Sequence, residues 1–425
     1  MHVSGKLIPL LLILTLTVQA QSVTETVTVD RQAVPRIQSV QLLPSYLESE
    51  PGLHPAAVPI AQQDLVLQFD DLQEDMENYY VRIVHCNRDW TPSRLRDMEF
   101  LSEYNEFTIN EYAFSSNTHV PYVHYRFVVP KVRVPGNYEL IVYRDGNRNH
   151  VAFRQRFVVF TDEVAIGRTV RPGQGTLRRD LQEVCFNIRY DPSAIPDAAQ
   201  SVYVVIRQNN RWDNAIQGPR ESRHDPNRGA MEFNCFDGRT TFAGGSEYRF
   251  VDFTSLNFPG MNTAWLDRSK RPMHLTVARD KTRASEVYAQ NRDLNGACVL
   301  DNRDTGEPQT TGQYLWVHFE LESAGLNSGA SQPSLFVGGN WSAYTASDSH
   351  KLSRNGPILE AVVLMKQGFY DYQYFAIPQK ADALNPVEGD HMETENMYEI
   401  LVYQRSFFNN TDRLVGYDRW RMNGR

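Results

Sequence analysis

The sequence predicts an all-β protein of three tandem immunoglobulin-like or early-set β-sandwich domains. Strand-length runs rich in Val, Ile, Tyr and Phe recur between turn residues along the whole chain. Where hydrophobic positions are periodic, the period is two, and long helical periodicity is hard to find. Hydrophobic residues make up 41% of the 425 and charged residues 22%, an ordinary globular balance with chain enough for about two to four buried cores.

Residues 1–20 read as a cleavable signal peptide. Lys6 sits in a short polar start, residues 7–16 are apolar, and Val18-Gln19-Ala20 places small residues at the cleavage-relevant positions. A membrane anchor is disfavoured, because the apolar stretch is too short to cross roughly 30 Å of hydrocarbon and holds Pro9. No cysteine follows the cleavage site to carry a lipid, and no later stretch is apolar enough to span a bilayer. An exported, soluble chain without direct membrane insertion is expected, beginning at Gln21 with an N-terminal linker over 21–35.

The first domain, residues 36–163, has strand signals at 64–69, 79–86, 124–129, 138–143 and 154–160. Within 138–143 one face is mostly aliphatic and the other mostly polar or aromatic, the pattern of a half-buried antiparallel strand, and Asp145-Gly146 marks the turn that follows. Residues 168–175 are polar enough to be a linker into the second domain, 164–283, whose strands fall at 184–190, 202–207, 231–236, 248–253 and 274–277. Residues 218–229 read as an exposed loop. The third domain, residues 284–425, carries strands at 314–321, 334–337, 359–365, 370–377 and 398–403, with loops at 303–313 and 324–332.

Forty-three basic residues stand against 51 acidic ones, a net charge of −8; removing the signal, with its single Lys, leaves 42 against 51, or −9. That balance supplies no electrostatic reason to bind nucleic acid or an anionic membrane. Only seven basic residues are Lys, so Arg carries nearly all the positive charge; Arg suits bidentate pairs and interfaces, but genomic base composition is the favoured explanation of the bias. Cys86, Cys185, Cys235 and Cys298 are widely spaced with no CxxC pair, and both disulfides and buried thiols are open to them.

No local signature of a nucleophile elbow, zinc protease or phosphate loop is present, and Gly173-Gln174-Gly175 lacks a third glycine at Arg178. His119 and His124 are five apart and point to opposite faces of a strand, so they do not converge with His85 on a metal. The acidic run Asp70, Asp71, Glu74 and Asp75 lacks the alternating pattern of a calcium loop and reads as a solvated turn. The expectation is a non-enzymatic protein with no catalytic residue, metal or cofactor.

Two segments stand out as partner-binding candidates. His85-Cys86-Asn87-Arg88-Asp89-Trp90-Thr91-Pro92-Ser93 joins Trp, His and an Arg/Asp pair where a strand meets a loop. There Trp90 either caps the sandwich core, with Asp89 bonding the turn, or joins Arg88 as an interface anchor. In the third domain Gly339-Asn340-Trp341 and Gly368-Phe369-Tyr370-Asp371-Tyr372 resemble early-set modules that bind starch, so Trp341, with Tyr370 and Tyr372, offers a platform for a sugar ring.

The segments Phe69-Asp70-Asp71-Leu72, His85-Cys86-Asn87-Arg88-Asp89-Trp90, Tyr122-Val123-His124-Tyr125, Glu247-Tyr248-Arg249-Phe250, Arg292-Asp293-Leu294-Asn295-Gly296, Lys366-Gln367-Gly368-Phe369-Tyr370-Asp371-Tyr372, Glu393-Thr394-Glu395-Asn396 and Arg413-Leu414-Val415-Gly416-Tyr417 together resemble the plug proteins of the bacterial type IX secretion system. The resemblance covers nearly all of the chain after the signal. It implies a periplasmic protein, held at the outer membrane by its partner, that seals the periplasmic mouth of a giant outer-membrane β-barrel translocon. The family carries no catalytic residues to this sequence. The alternative is a periplasmic glycan-binding module protein centred on Trp341.

Overall fold

A computed structural model describes residues 34–47, 54–234, 238–324, 326, 334–377 and 380–422. The signal peptide and residues 21–33 of the expected linker lie outside the described residues. Strands dominate throughout, and the helices among the described residues are single turns. The expected strand segments all form, with ends shifted by a few residues; the end of 231–236 lies partly outside the described residues.

The first sandwich packs two sheets. One runs in the order Ile37–Pro44, Leu65–Asp71, Val123–Val128, Glu111–Phe114, and the other Ala57–Pro59, Val151–Phe160, Gly136–Arg144, Tyr79–Cys86, Phe107–Thr108. The two-residue period is realised: Tyr138, Leu140 and Val142 enter the core, while Glu139 and Ile141 stay half-buried. Phe69, Tyr79, Tyr125 and Phe153 meet ring to ring at 4.9–5.2 Å in the centre of this core. Burying each such side chain contributes about 1.5–3 kcal/mol.

The second sandwich differs from the expected contiguous block. One of its sheets pairs Ala165–Pro172 with Leu181–Arg189, then Ala230–Phe233 and Arg223–Asp225, with Thr241–Ala243 also bonded to Leu181–Arg189. Residues 168–172, expected in a linker, are therefore an edge strand in full register with 182–186. The facing sheet is Ile216–Gln217, Val202–Gln208, Asn396–Arg405, Asp412–Met422. Val202–Gln208 pairs along its whole length with 398–404, so the last two strands of the chain complete the second core and not the third. Asn396–Arg405 escapes a period-two reading because both its faces are covered. Tyr398, Ile400 and Val402 enter the second core, while Leu401 and Tyr403 join a separate apolar cluster with Cys86, Trp90 and Val158 of the first sandwich.

The third sandwich lies between these halves of the second. Its sheets are Thr263–Asp267, Met273–Val277, Tyr314–Glu322, Ile358–Lys366, Ser353–Asn355 and, opposite, Arg249–Asp252, Gly368–Ala376, Cys298–Leu300, with Leu335–Gly338 also on Gly368–Ala376. Val251, Leu275, Val317, Phe319, Val363 and Tyr372 fill its core. In place of three tandem units, the chain builds one sandwich and then a second with the third inserted into it.

This nesting is testable with a fragment. Residues 164–283 alone lack both C-terminal strands of the second core and are expected to show no cooperative melt by circular dichroism; a folded fragment contradicts the nested arrangement.

Candidate functional site

The chemistry-bearing motifs converge on the three joints between sandwiches. At the first-to-third joint, Asp70 is the penultimate residue of the strand Leu65–Asp71 and Lys366 ends the apolar strand Ile358–Lys366, and both lie fully inside. Lys366 Nζ donates to Asp70 Oδ2 at 2.7 Å and to the Gln309 carbonyl at 3.0 Å. Tyr314 donates its hydroxyl to the same Asp70 oxygen at 2.7 Å, and His124 Nδ1 meets Asp70 Oδ1 at 2.7 Å. The ammonium also lies 4.3 Å from the centre of the Tyr122 ring. Burial opposes ionisation of Asp70, yet Lys366 and His124 together hold its carboxyl below the usual range. Removing one partner of such a buried pair costs about 3–5 kcal/mol, because the other charge is left without solvent or counterion. The expectation of a solvated turn is thus corrected for Asp70 and Asp71, which are both wholly buried, and holds for Glu74 and Asp75. The signal available in the sequence was Lys366 itself, one of seven lysines, directly following Val-Val-Leu-Met.

At the first-to-second joint the segment 85–93 is an internal anchor. Trp90, at positive φ, is buried with its ring 4.9 Å and edge-on from Trp212 of the second sandwich, and the Arg156 guanidinium lies 4.5 Å from its centre. Arg88 pairs with Asp412 at 3.0 Å and stacks 3.7 Å from the centre of the Tyr203 ring. Asp89 accepts from the Thr91 amide and hydroxyl, as the turn reading expects. His85 is buried, bonded to Ser93, and pushed down to about 4 by burial, so it is neutral. A Cβ on Gly136 would come within 2.4 Å of His85 Nε2, so this approach requires glycine. Cys86 and Cys298 are buried thiols outside any disulfide and Cys185 is disulfide-bonded; Cys235 lies outside the described residues.

At the second-to-third joint four motif segments bring together Glu247, Asp293, Asp371 and Glu395. Asp371 Oδ2 accepts from the Leu294 and Gly296 amides, Asp293 from the Tyr248 and Asn295 amides, and Glu247 Oε1 from Tyr288. Burial, reinforced by Asp293, pushes Asp371 up to about 8; burial pushes Asp293 up to about 7, with Glu247 and Glu395 adding to it. Tyr370 and Tyr372 are buried in the third core, with Tyr372 donating to Asp280 at 2.9 Å, so neither hydroxyl faces a partner. Trp341 is half-buried, its indole donating to the Asp371 carbonyl at 2.8 Å and its ring edge-on to Tyr370. Of the five partner-binding candidates, Trp90, Tyr370 and Tyr372 are enclosed within the protein. Arg88 is tied to Asp412, and Trp341 is held as a wall and is not a free platform.

Where the three sandwiches meet, a cavity of about 180 Å³ is lined by Arg154, Arg156, Arg207 and Arg211, by Trp212 and Trp341, and by a single carboxylate, Glu139. Among the described residues no group of three or more His, Cys, Asp or Glu is arranged to hold a metal ion, and no helix is long and apolar enough to cross a membrane.

The geometry defines a class: an all-β body of interlocked sandwiches whose polar chemistry is spent on holding its parts together. Residues 37–161 match the family model described as the type 9 secretion system plug protein 1st domain. The first sandwich is therefore similar to the first domain of the type IX secretion system plug proteins. Over 92% of this chain and 98% of the other, the structure is similar to the crystal structure of a hypothetical protein from Parabacteroides merdae ATCC 43184, with a TM-score of 0.84 and 25% identity. No curated protein matches the sequence.

The acid cluster gives a pH prediction. A carboxyl whose folded value lies above its unfolded value of about 3.9 holds a proton only in the native state, so stability falls as pH rises from about 4 through the folded value. For Asp371 that window runs up to about 8. Above about pH 6.5, where the buried His85 and His350 no longer contribute, stability is expected to decline towards pH 8, and Asp371→Asn is expected to flatten that decline in melts recorded across this range. An unaltered slope in the variant contradicts the assignment.

Proposed function

We propose that this protein is a non-enzymatic periplasmic plug that binds and seals the periplasmic opening of the giant outer-membrane barrel translocon of the type IX secretion system. The match of residues 37–161 to the plug family carries the reading. The physical demands of the task support it. An opening wide enough for folded proteins leaks unless a bulky body fills it, and a body with loose hinges leaks around its edges. Three sandwiches tied through Asp70–Lys366, Arg88–Asp412 and the Trp90–Trp212 contact meet that demand without a reactive centre. The motif residues being spent internally, contact with the barrel falls to exposed apolar groups. Phe407 and Phe408, in the turn between Asn396–Arg405 and Asp412–Met422, are 67% and 103% exposed, and exposed aromatics of this kind serve as interface anchors.

Affinity capture of the tagged full-length protein from envelope extracts is expected to recover a giant outer-membrane barrel protein, with recovery reduced at least tenfold by Phe407→Ser/Phe408→Ser. A deletion strain is expected to become sensitive to antibiotics too large for porins. Capture without any such barrel, together with unchanged permeability, contradicts the plug role.

A further inference from the structure

The central cavity holds an imbalance that the secretion role does not explain. Four guanidinium groups line it against the one carboxylate of Glu139, and that carboxylate is already bonded to Arg154 at 2.6 Å. Arg207 sends Nη2 to Glu399 at 2.6 Å and leaves its buried Nε without an acceptor; Arg211 is paired with Asp213. Arg156 is the exception. Its side chain has no ion pair or hydrogen bond among the described residues, its Nη1 is buried and unsatisfied, and its flat face is occupied by Trp90. A cation taken out of water without a counter-charge is costly, and an anion supplied from outside would offset that cost.

We propose that this cavity is a binding site for a small oxyanion, a carboxylate or phosphate, with Arg156 as its principal anchor. Guanidinium donors form paired hydrogen bonds with both kinds of anion, and stacking holds these forks in place before a ligand arrives: Arg156 on Trp90, Arg207 on Trp212 at 4.2 Å and Arg211 on Tyr344 at 4.0 Å. Size limits the ligand. A cavity of roughly 150 Å³ accepts a benzene-sized molecule, so about 180 Å³ admits an anion of that order and excludes an oligosaccharide. The indoles of Trp212 and Trp341 on the wall favour a ligand with a flat or apolar body behind its charge. Burial lowers the affinity of Arg156 for its proton, with Glu139 and Cys86 partly restoring it, consistent with a cation short of a partner. The inference stands apart from the secretion reading, since it needs only the cavity and its charges.

Isothermal titration of the full-length protein after removal of residues 1–20, at constant ionic strength, tests it with two probes, benzoate and inorganic phosphate. Saturable one-to-one binding of at least one probe is expected, weakened at least tenfold in Arg156→Gln and partly retained in Arg156→Lys, which keeps the charge but loses the fork. Tighter binding of benzoate assigns the indole wall to the ligand's body, and tighter binding of phosphate assigns the site to charge alone. No heat of binding from either probe, or equal binding by the wild type and both variants, overturns the proposal.

Discussion

The ion pair between Asp70 and Lys366 is the constraint on which the arrangement depends. The two residues sit at or next to the ends of strands in different sandwiches, and each is the other's buried counter-charge. Within its own sandwich Asp70 meets the His124 ring nitrogen and Lys366 the Gln309 carbonyl, and docking adds the ion pair that compensates the two buried charges. Tyr314, His124 and Ser39 extend the network around the pair and fix its geometry. A joint held by apolar area alone can slide, whereas one built on 2.7 Å bonds to a single carboxylate has one position.

The other two joints use different physics for the same end. Between the first and second sandwiches, Arg88, Arg156 and Arg207 stack on aromatic faces while Asp412 accepts from Arg88 and Arg405. This gives the Arg-rich composition a structural use, since Lys has no planar face to stack. Between the second and third, buried carboxyls are bonded to backbone amides in tight loops, and burial, reinforced by Asp293, raises Asp371 to about 8.

The sequence revealed strands better than it revealed their partners. The strand Gly136–Arg144 is legible because Tyr138, Leu140 and Val142 alternate into the core while Glu139 and Ile141 stay half-buried on the other face. Asn396–Arg405 hides its allegiance, since burial on both faces erases the alternation and nothing local says that its neighbour is Val202–Gln208, nearly two hundred residues earlier. Residues 168–172 of the edge strand Ala165–Pro172 read as a linker because an edge strand buries none of its residues fully and selects polar ones. The motif segments were found, but their role was not. Tyr370 and Asp70 look like surface chemistry in one dimension and are internal once the sandwiches pack, whereas Trp90 is buried as its core-capping reading expects. The arginine-lined cavity had no local signal at all, its walls coming from three separate folding units.

Scanning calorimetry of the full-length protein without residues 1–20 tests the central claim, that the buried pair makes the sandwiches one mechanical unit. A single cooperative transition is predicted for the wild type. In Asp70→Asn, which removes about 3–5 kcal/mol from the joint, a separate early transition of the first sandwich is predicted. Several independent transitions in the wild type, unchanged by Asp70→Asn, would contradict the account.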